Sequence, residues 1–203
     1  MSDDRTAEKR ERILTSAAEL FSKQDHGNVT VDDIAARAGV AKGTVYNHFD
    51  SKDALLSEAI TTRLEHLIST LKESCDRRDD MRLNIRRVAV HVMSFMLKYE
   101  PFFCMWKREE AWVCADRCHA WYGLRQSLQR ILVEQLDRGR REGLVRPLDT
   151  DGAASHIFGA IDGAVLRHLG RSPEHPEVVA ERDRLDAFIW SAIRADGNGG
   201  DAA

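Results

Sequence analysis

The densest chemistry in this 203-residue chain lies in one short run: Lys42, Gly43, Thr44, Tyr46, Asn47 and His48. These residues supply an ammonium, two hydroxyls, an amide and an imidazole, with one position that has no side chain. A surface of such donors suits the acceptors of nucleic-acid base edges and phosphates.

The residues around the run dictate what must hold it. Val45 and Phe49 are spaced i, i+4, so a helix over 41–48 turns both inward and leaves the donors outside. Upstream, Ile34, Ala35 and Ala38 share one face of an earlier helix. Thr30 is a good N-cap for it, and Asp33 completes a capping-box-like pair while adding negative charge to the first turn. Gly39 falls where this helix must stop, because a residue just past a helix end often needs the left-handed conformation. Val40 follows as an apolar plug. Two short helices joined by a tight turn, with donors on the N-terminal part of the second, form a helix-turn-helix that reads the major groove.

The stretch from Thr30 to Leu56, with Val-Tyr-Asn-His-Phe-Asp-Ser-Lys-Asp-Ala-Leu near its end, resembles the DNA-binding segment of the tetracycline-repressor (TetR) family. The helical pattern from Arg10 to Phe21 fits as well. The specific resemblance covers roughly a quarter of the chain. It implies that Lys42, Gly43 and Thr44 approach bases, that Thr30, Tyr46, His48 and Lys52 contact phosphates, and that Asn47 serves either role. Ala41 stands where many relatives carry serine, which removes one cap or phosphate hydrogen bond. The resemblance further implies a homodimeric, ligand-responsive regulator, most readily a repressor, bound to a double-stranded palindromic operator. Its linking helix would carry the signal from ligand domain to DNA reader.

Composition agrees with an all-α chain: proline is scarce, at 4 residues, and long amphipathic runs dominate. The expected organisation is a three-helix helix-turn-helix domain over 1–50 and a linking helix over 51–75. A helical ligand-binding and dimerisation domain follows over 76–196, with a disordered tail over 197–203. Residues 1–7 are expected to be a frayed polar arm. Later helices are expected at 81–99, from about 119 to a C-terminal end framed by Gly139 and Gly143, at 149–169 and at about 177–194. The last of these carries Leu185, Phe188, Ile189, Ala192 and Ile193 along one stripe. Small residues Gly159, Ala160, Gly163 and Ala164 suit close packing of a second helix, and a four-helix dimer interface is expected there.

The net charge of −3 excludes a protein that coats nucleic acid by bulk positive charge. Residues 1–55 hold eight Lys/Arg against ten Asp/Glu. DNA affinity must therefore come from local placement of Lys42, Lys52, Arg37 and helix N-termini. The start Met-Ser-Asp-Asp-Arg is unlike a signal peptide and no apolar run has membrane-spanning length, so a cytoplasmic location without membrane partners is expected.

The second chemical feature is an aromatic and sulfur-rich stretch. Phe95, Phe102, Phe103, Trp106, Trp112, Trp121 and Tyr122, with His66, are the expected lining of a pocket for a small apolar or planar organic effector. Cys114 and Cys118 are i, i+4, with His119 beside them and Cys104 upstream. This set gives an alternative reading, a soft-metal or thiol redox sensor, although no Cys-x-x-Cys pair occurs. No Gly-rich phosphate loop, nucleophile elbow or His-Glu-x-x-His pair is present, so neither an enzyme nor a cofactor is expected. A DNA-binding protein without a small-molecule effector is the remaining alternative.

Overall fold

The computed structural model describes residues 2–24, 27–75, 80–100, 103–104, 107 and 119–195. Among these residues the chain forms α1 (Ser2–Phe21), α2 (Val31–Ala38), α3 (Lys42–His48), α4 (Lys52–Ser74), α5 (Met81–Lys98), α6 (His119–Arg141), α7 (Thr150–Arg167) and α8 (Pro176–Ile193). Among the described residues the helices are joined by turns and short loops, and the only β pairing is one isolated bridge between Val145 and Arg194. The all-α expectation holds.

The chain forms two compact units, Met1–His66 with Lys98–Asp116, and Leu67–Leu97 with Arg117–Ala203. This division departs from the expected boundaries. The apolar stripe of α4 explains part of the difference, because Leu55, Leu56, Ala59 and Ile60 are all buried in the first unit. Tyr99 and Phe103 are buried there too, so residues after α5 return to it.

In the first unit, α1 presents Ile13, Leu14, Ala17, Ala18 and Phe21 as a continuous buried stripe. Ile34, Ala35 and Ala38 of α2, with Val45 and Phe49, complete the core. The helix begins at Ser2 rather than fraying to residue 7.

In the second unit, Val88, Val92 and Met96 of α5 are buried, as are Leu132 and Leu136 of α6 and Ile161 and Val165 of α7. Gly143, at φ +72°, turns the chain after α6. The strand-like segment after it then pairs with the end of α8 through Arg146 N–H to the Ile193 carbonyl at 3.0 Å.

The single stripe expected on α8 is divided. Leu185, Ile189 and Ile193 are buried, whereas Phe188 is 61% exposed and Ala192 is exposed. Successive residues turn by about 100° around a helix, so Leu185, Ile189 and Ile193 share one line and Phe188 and Ala192 share the next.

Candidate nucleic-acid interface

The geometry of α2 follows from its two ends. The Thr30 hydroxyl accepts from the Asp33 amide at 3.1 Å, and the Asp33 carboxylate accepts from the Thr30 amide at 3.0 Å. This capping box satisfies donors that a helix start otherwise leaves orphaned. Hydrogen bonds from the Thr30 hydroxyl and amide hold the Asp33 carboxyl below its ordinary range. At the other end Gly39 takes φ +65°. Its amide and that of Val40 return to the carbonyls of Ala36 and Ala35, at 3.2 and 3.0 Å. The Arg12 guanidinium donates to the Ala38 carbonyl and lies 3.5 Å from that of Gly39. The left-handed backbone asks for glycine, and a β-carbon there would in addition displace the end of the Arg12 side chain, 2.8 Å away.

That turn delivers α3, a helix of seven residues. Val45 and Phe49 are buried at 2% and 5% exposure, anchoring one face as the sequence predicts. Lys42, Gly43, Tyr46 and Asn47 are exposed, with Tyr46 at 50%, while Thr44 and His48 are half-buried. The N-cap Ala41 makes no side-chain cap bond. Gly43 is conspicuous because a β-carbon built there meets nothing within 4 Å. Glycine in a helix is less favourable than alanine by up to about 1 kcal/mol, and among the described residues nothing lies close enough to Gly43, in the first turn of α3, to require it.

The cations are held in different ways. Lys42 Nζ donates to Asp32 Oδ2 at 2.8 Å, and this bond raises the Lys42 pKa. Lys52 Nζ donates to the Val29 carbonyl at 3.1 Å, tying the start of α4 to the loop before α2. That bond supplies a structural reason for a lysine in a helix's first turn. Arg37 donates through Nε to Glu19 at 2.8 Å, and the same guanidinium lowers the Glu19 pKa. The Thr30 hydroxyl donates to Asp33 at 2.6 Å, so its hydrogen is directed into the cap. Asp32 and Arg12 take part in this surface although no local pattern of cations and donors marks them. Their partners lie ten or more residues away, beyond the reach of a local pattern.

The expected effector-binding residues fall in both units and partly outside the described residues. Phe95 is buried on α5 in the second unit, Phe103 is fully buried in the first, and His66 is exposed on α4. Phe102, Trp106 and Trp112 lie outside the described residues, as do the side chains of Trp121 and Tyr122. Of the sulfur set, Cys114, Cys118 and the His119 side chain also lie outside. Cys104 is exposed, and partial burial of its sulfur together with the nearby Glu100 charge raises the thiol pKa. That environment disfavours the reactive thiolate. Among the described residues, no three metal-ligating side chains come together.

A different feature marks the second unit. A cleft of about 490 Å³ between α7 and α8 is lined by Ala153, His156, Ala160, Phe188 and Ala192, among others. Beside it, β-carbons built on Gly159 and Gly163 meet nothing within 4 Å. Among the described residues, no helix is long and apolar enough to cross a membrane.

Comparison with known proteins places these observations. Residues 13–59 match the family described as bacterial regulatory proteins, tetR family. Nucleoid occlusion factor SlmA of Vibrio cholerae is 26% identical over 178 residues, covering 83% of this chain and 88% of that protein. A Saccharomonospora viridis protein solved in complex with choline superposes with a TM-score of 0.75 at 22% identity, over 94% of this chain and 100% of the other. The transcriptional regulator FadR of Bacillus subtilis, solved with stearoyl-CoA, superposes with a TM-score of 0.70 at 21% identity, over 90% and 98% of the two chains. These two likenesses establish a shared fold along nearly the whole chain.

Proposed function

We propose that this chain, whose residues 13–59 match the tetR family of bacterial regulatory proteins, is a DNA-binding transcriptional regulator, and more finely a homodimeric, effector-released repressor of a palindromic operator. The observation that carries the reading is the outward face of α3. Lys42, Gly43, Tyr46 and Asn47 are exposed there on a helix anchored by Val45 and Phe49. Gly43 lets the backbone approach a base pair, and Thr44 adds a hydroxyl and a methyl for base edges. Tyr46, Asn47 and His48 hold the phosphate strand. Thr30 and Lys52 support binding by fixing the start of α2 and the loop before it.

Dimerisation is supported by the second unit. Gly159 and Gly163 face open space on α7, while Leu166 and Phe188 are 54% and 61% exposed. Small residues beside exposed apolar ones invite a second copy of the same two helices. Two readers related by a dyad bind half-sites about one helical turn or more apart.

Effector release is supported by relatives of the same fold solved with choline and stearoyl-CoA. An apolar or aromatic effector in the second unit would bias two arrangements of α4, changing the separation of the two α3 helices. Only differential affinity for the two arrangements shifts that equilibrium. A second reading is a constitutive DNA-binding protein with no small-molecule effector: the relative matched along 83% of this chain is named a nucleoid occlusion factor, a name that carries no effector.

The test is binding to random-sequence and selected duplexes. Tyr46→Ala is expected to weaken both alike, and Thr44→Ala to change preference at particular base pairs. Equal losses on every sequence for both variants would contradict this division. Release of the selected duplex by a compound that also raises Tm would support effector control. A broad apolar and aromatic set that leaves both unchanged would favour the second reading.

A further inference from the structure

Base reading asks a short helix to keep one tilt in the groove, and α3 has little of its own with which to keep it. Within its seven residues only Val45 is buried, with Phe49 buried just past its end. Apolar burial is non-directional, so these two side chains form an axle about which the helix is free to roll or pitch. The Lys42–Asp32 ion pair joins α3 to α2 alone, and it travels with those two helices. What fixes them against the rest of the unit must come from elsewhere.

Two arginines of α1 reach the two ends of α3. Ahead of it, the Arg12 guanidinium donates to the Ala38 carbonyl and lies 3.5 Å from that of Gly39. Ala38 is the last residue of α2, where carbonyls lack intrahelical partners and the helix dipole presents negative charge. A cation from a neighbouring helix answers both. Behind α3, the Arg10 guanidinium stands over the Phe49 ring, 5.2 Å from its centre, and pairs with Glu58 of α4. Phe49 caps α3, its amide donating to the Val45 carbonyl at 3.0 Å. One helix of 20 residues thus grips both the turn that enters α3 and the ring that closes it. Hydrogen bonds and contacts over a ring face are directional where apolar packing is not.

We propose that Arg10 and Arg12 are positioning residues for sequence reading: from α1 they hold both ends of α3, so that its outward donors meet base edges at one tilt. Neither guanidinium needs to touch DNA for this. The inference rests on the proposed function, since it needs an operator whose sequence is read. It also separates specificity from affinity. Phosphate contacts carry no sequence information, whereas paired hydrogen bonds to base edges require a fixed geometry. A loosened α3 therefore loses preference before it loses its hold.

The experiment compares the full-length wild-type protein with Arg12→Ala, Arg12→Lys, Arg10→Ala and Glu58→Ala. Each is titrated with a duplex selected by the wild-type protein from a random pool and with a random-sequence duplex. Titrations cover a range of salt and stay well below the melting temperature of each variant. The ratio of the two affinities is expected to fall about tenfold in Arg12→Ala and in Arg10→Ala. Random-sequence affinity is expected to stay within about threefold, with an unchanged salt slope. Arg12→Lys retains a donor on a flexible stem and is expected to recover most of the loss. Glu58→Ala leaves Arg10 charged but unanchored, and a lower ratio is expected there too.

Equal losses on both duplexes, with the salt slope reduced by about 0.9 for each arginine, would overturn the proposal and assign these cations to phosphates. An unchanged ratio in the folded alanine variants would overturn it as well, leaving the apolar anchor sufficient. So would tighter binding of Glu58→Ala to both duplexes at an unchanged ratio, the mark of charge alone. In each of these cases the regulator reading stands. A wild-type protein that prefers no sequence would remove that reading together with this one.

Discussion

At the scale of single residues, the interface separates positions that hold the fold from positions that face outward. Gly39 and Gly43 illustrate the division. The first has a left-handed backbone and the end of Arg12 within 2.8 Å of where its β-carbon would stand, while the second has neither. Gly43→Ala is therefore expected to leave thermal stability unchanged or raise it by up to about 1 kcal/mol, while weakening operator binding. A loss of stability in the free protein would show that Gly43 serves packing. Thr30→Ala removes the cap of α2 and is expected to cost about 1 kcal/mol in urea unfolding. The same cap sets a pH dependence. Thr30 lowers the Asp33 carboxyl in the folded state, so the capping contribution is present above the ordinary carboxylate range. It is lost as pH falls through that lowered folded value. Asp33→Asn should remove this part of the acid-induced loss, measured by unfolding between neutral pH and about pH 3. An unchanged acid profile in Asp33→Asn would contradict it.

At the scale of elements, the second unit is tied together by polar groups as well as apolar stripes. Fully buried Asn84 of α5 donates to Gln135 of α6 at 3.1 Å and accepts from Arg87 at 2.9 Å. Arg87 also donates to the Ser74 carbonyl at 2.9 Å, gripping the C-terminal end of α4. Gln135→Ala leaves the Asn84 amide without this acceptor and is expected to cost about 2 kcal/mol, read by urea unfolding. A change under about 0.5 kcal/mol, the size of an ordinary surface substitution, would show that the site relaxes without it. The helices themselves were legible in the sequence because apolar spacing and chain punctuation are local. Thr30, Gly39 and the Val45/Phe49 pair place α2 and α3 to within a residue. The division of α8 into a buried line and an exposed one was not legible, since Phe188 is as apolar as Ile189. Only a neighbouring helix decides which of two adjacent lines is covered. The Asp32–Lys42 and Arg12–Ala38 bonds were hidden for the same reason, because each joins residues that the turn brings together. The start of α1 was not legible either, since polar residues with no apolar stripe are as common in a frayed arm as in an exposed first turn.

At the scale of the whole molecule, the account requires two copies. The outward apolar face of α7 and α8, with Gly163, Leu166 and Phe188, is the proposed seam. Phe188→Asp is expected to convert a dimer to a monomer in light scattering while leaving helix content intact. An unchanged dimer would move the seam elsewhere. Dimerisation matters because the reader domain is acidic overall and α3 is short, so one copy has few contacts with which to hold a site. The most direct test of the central claim is selection by the wild-type protein from a pool of random duplex DNA, followed by the stoichiometry of the selected complex. The account predicts an enriched inverted repeat, half-sites about one helical turn or more apart, bound by two copies or a multiple of two. Enrichment of nothing, or of a single unrepeated site bound by one copy, would contradict it.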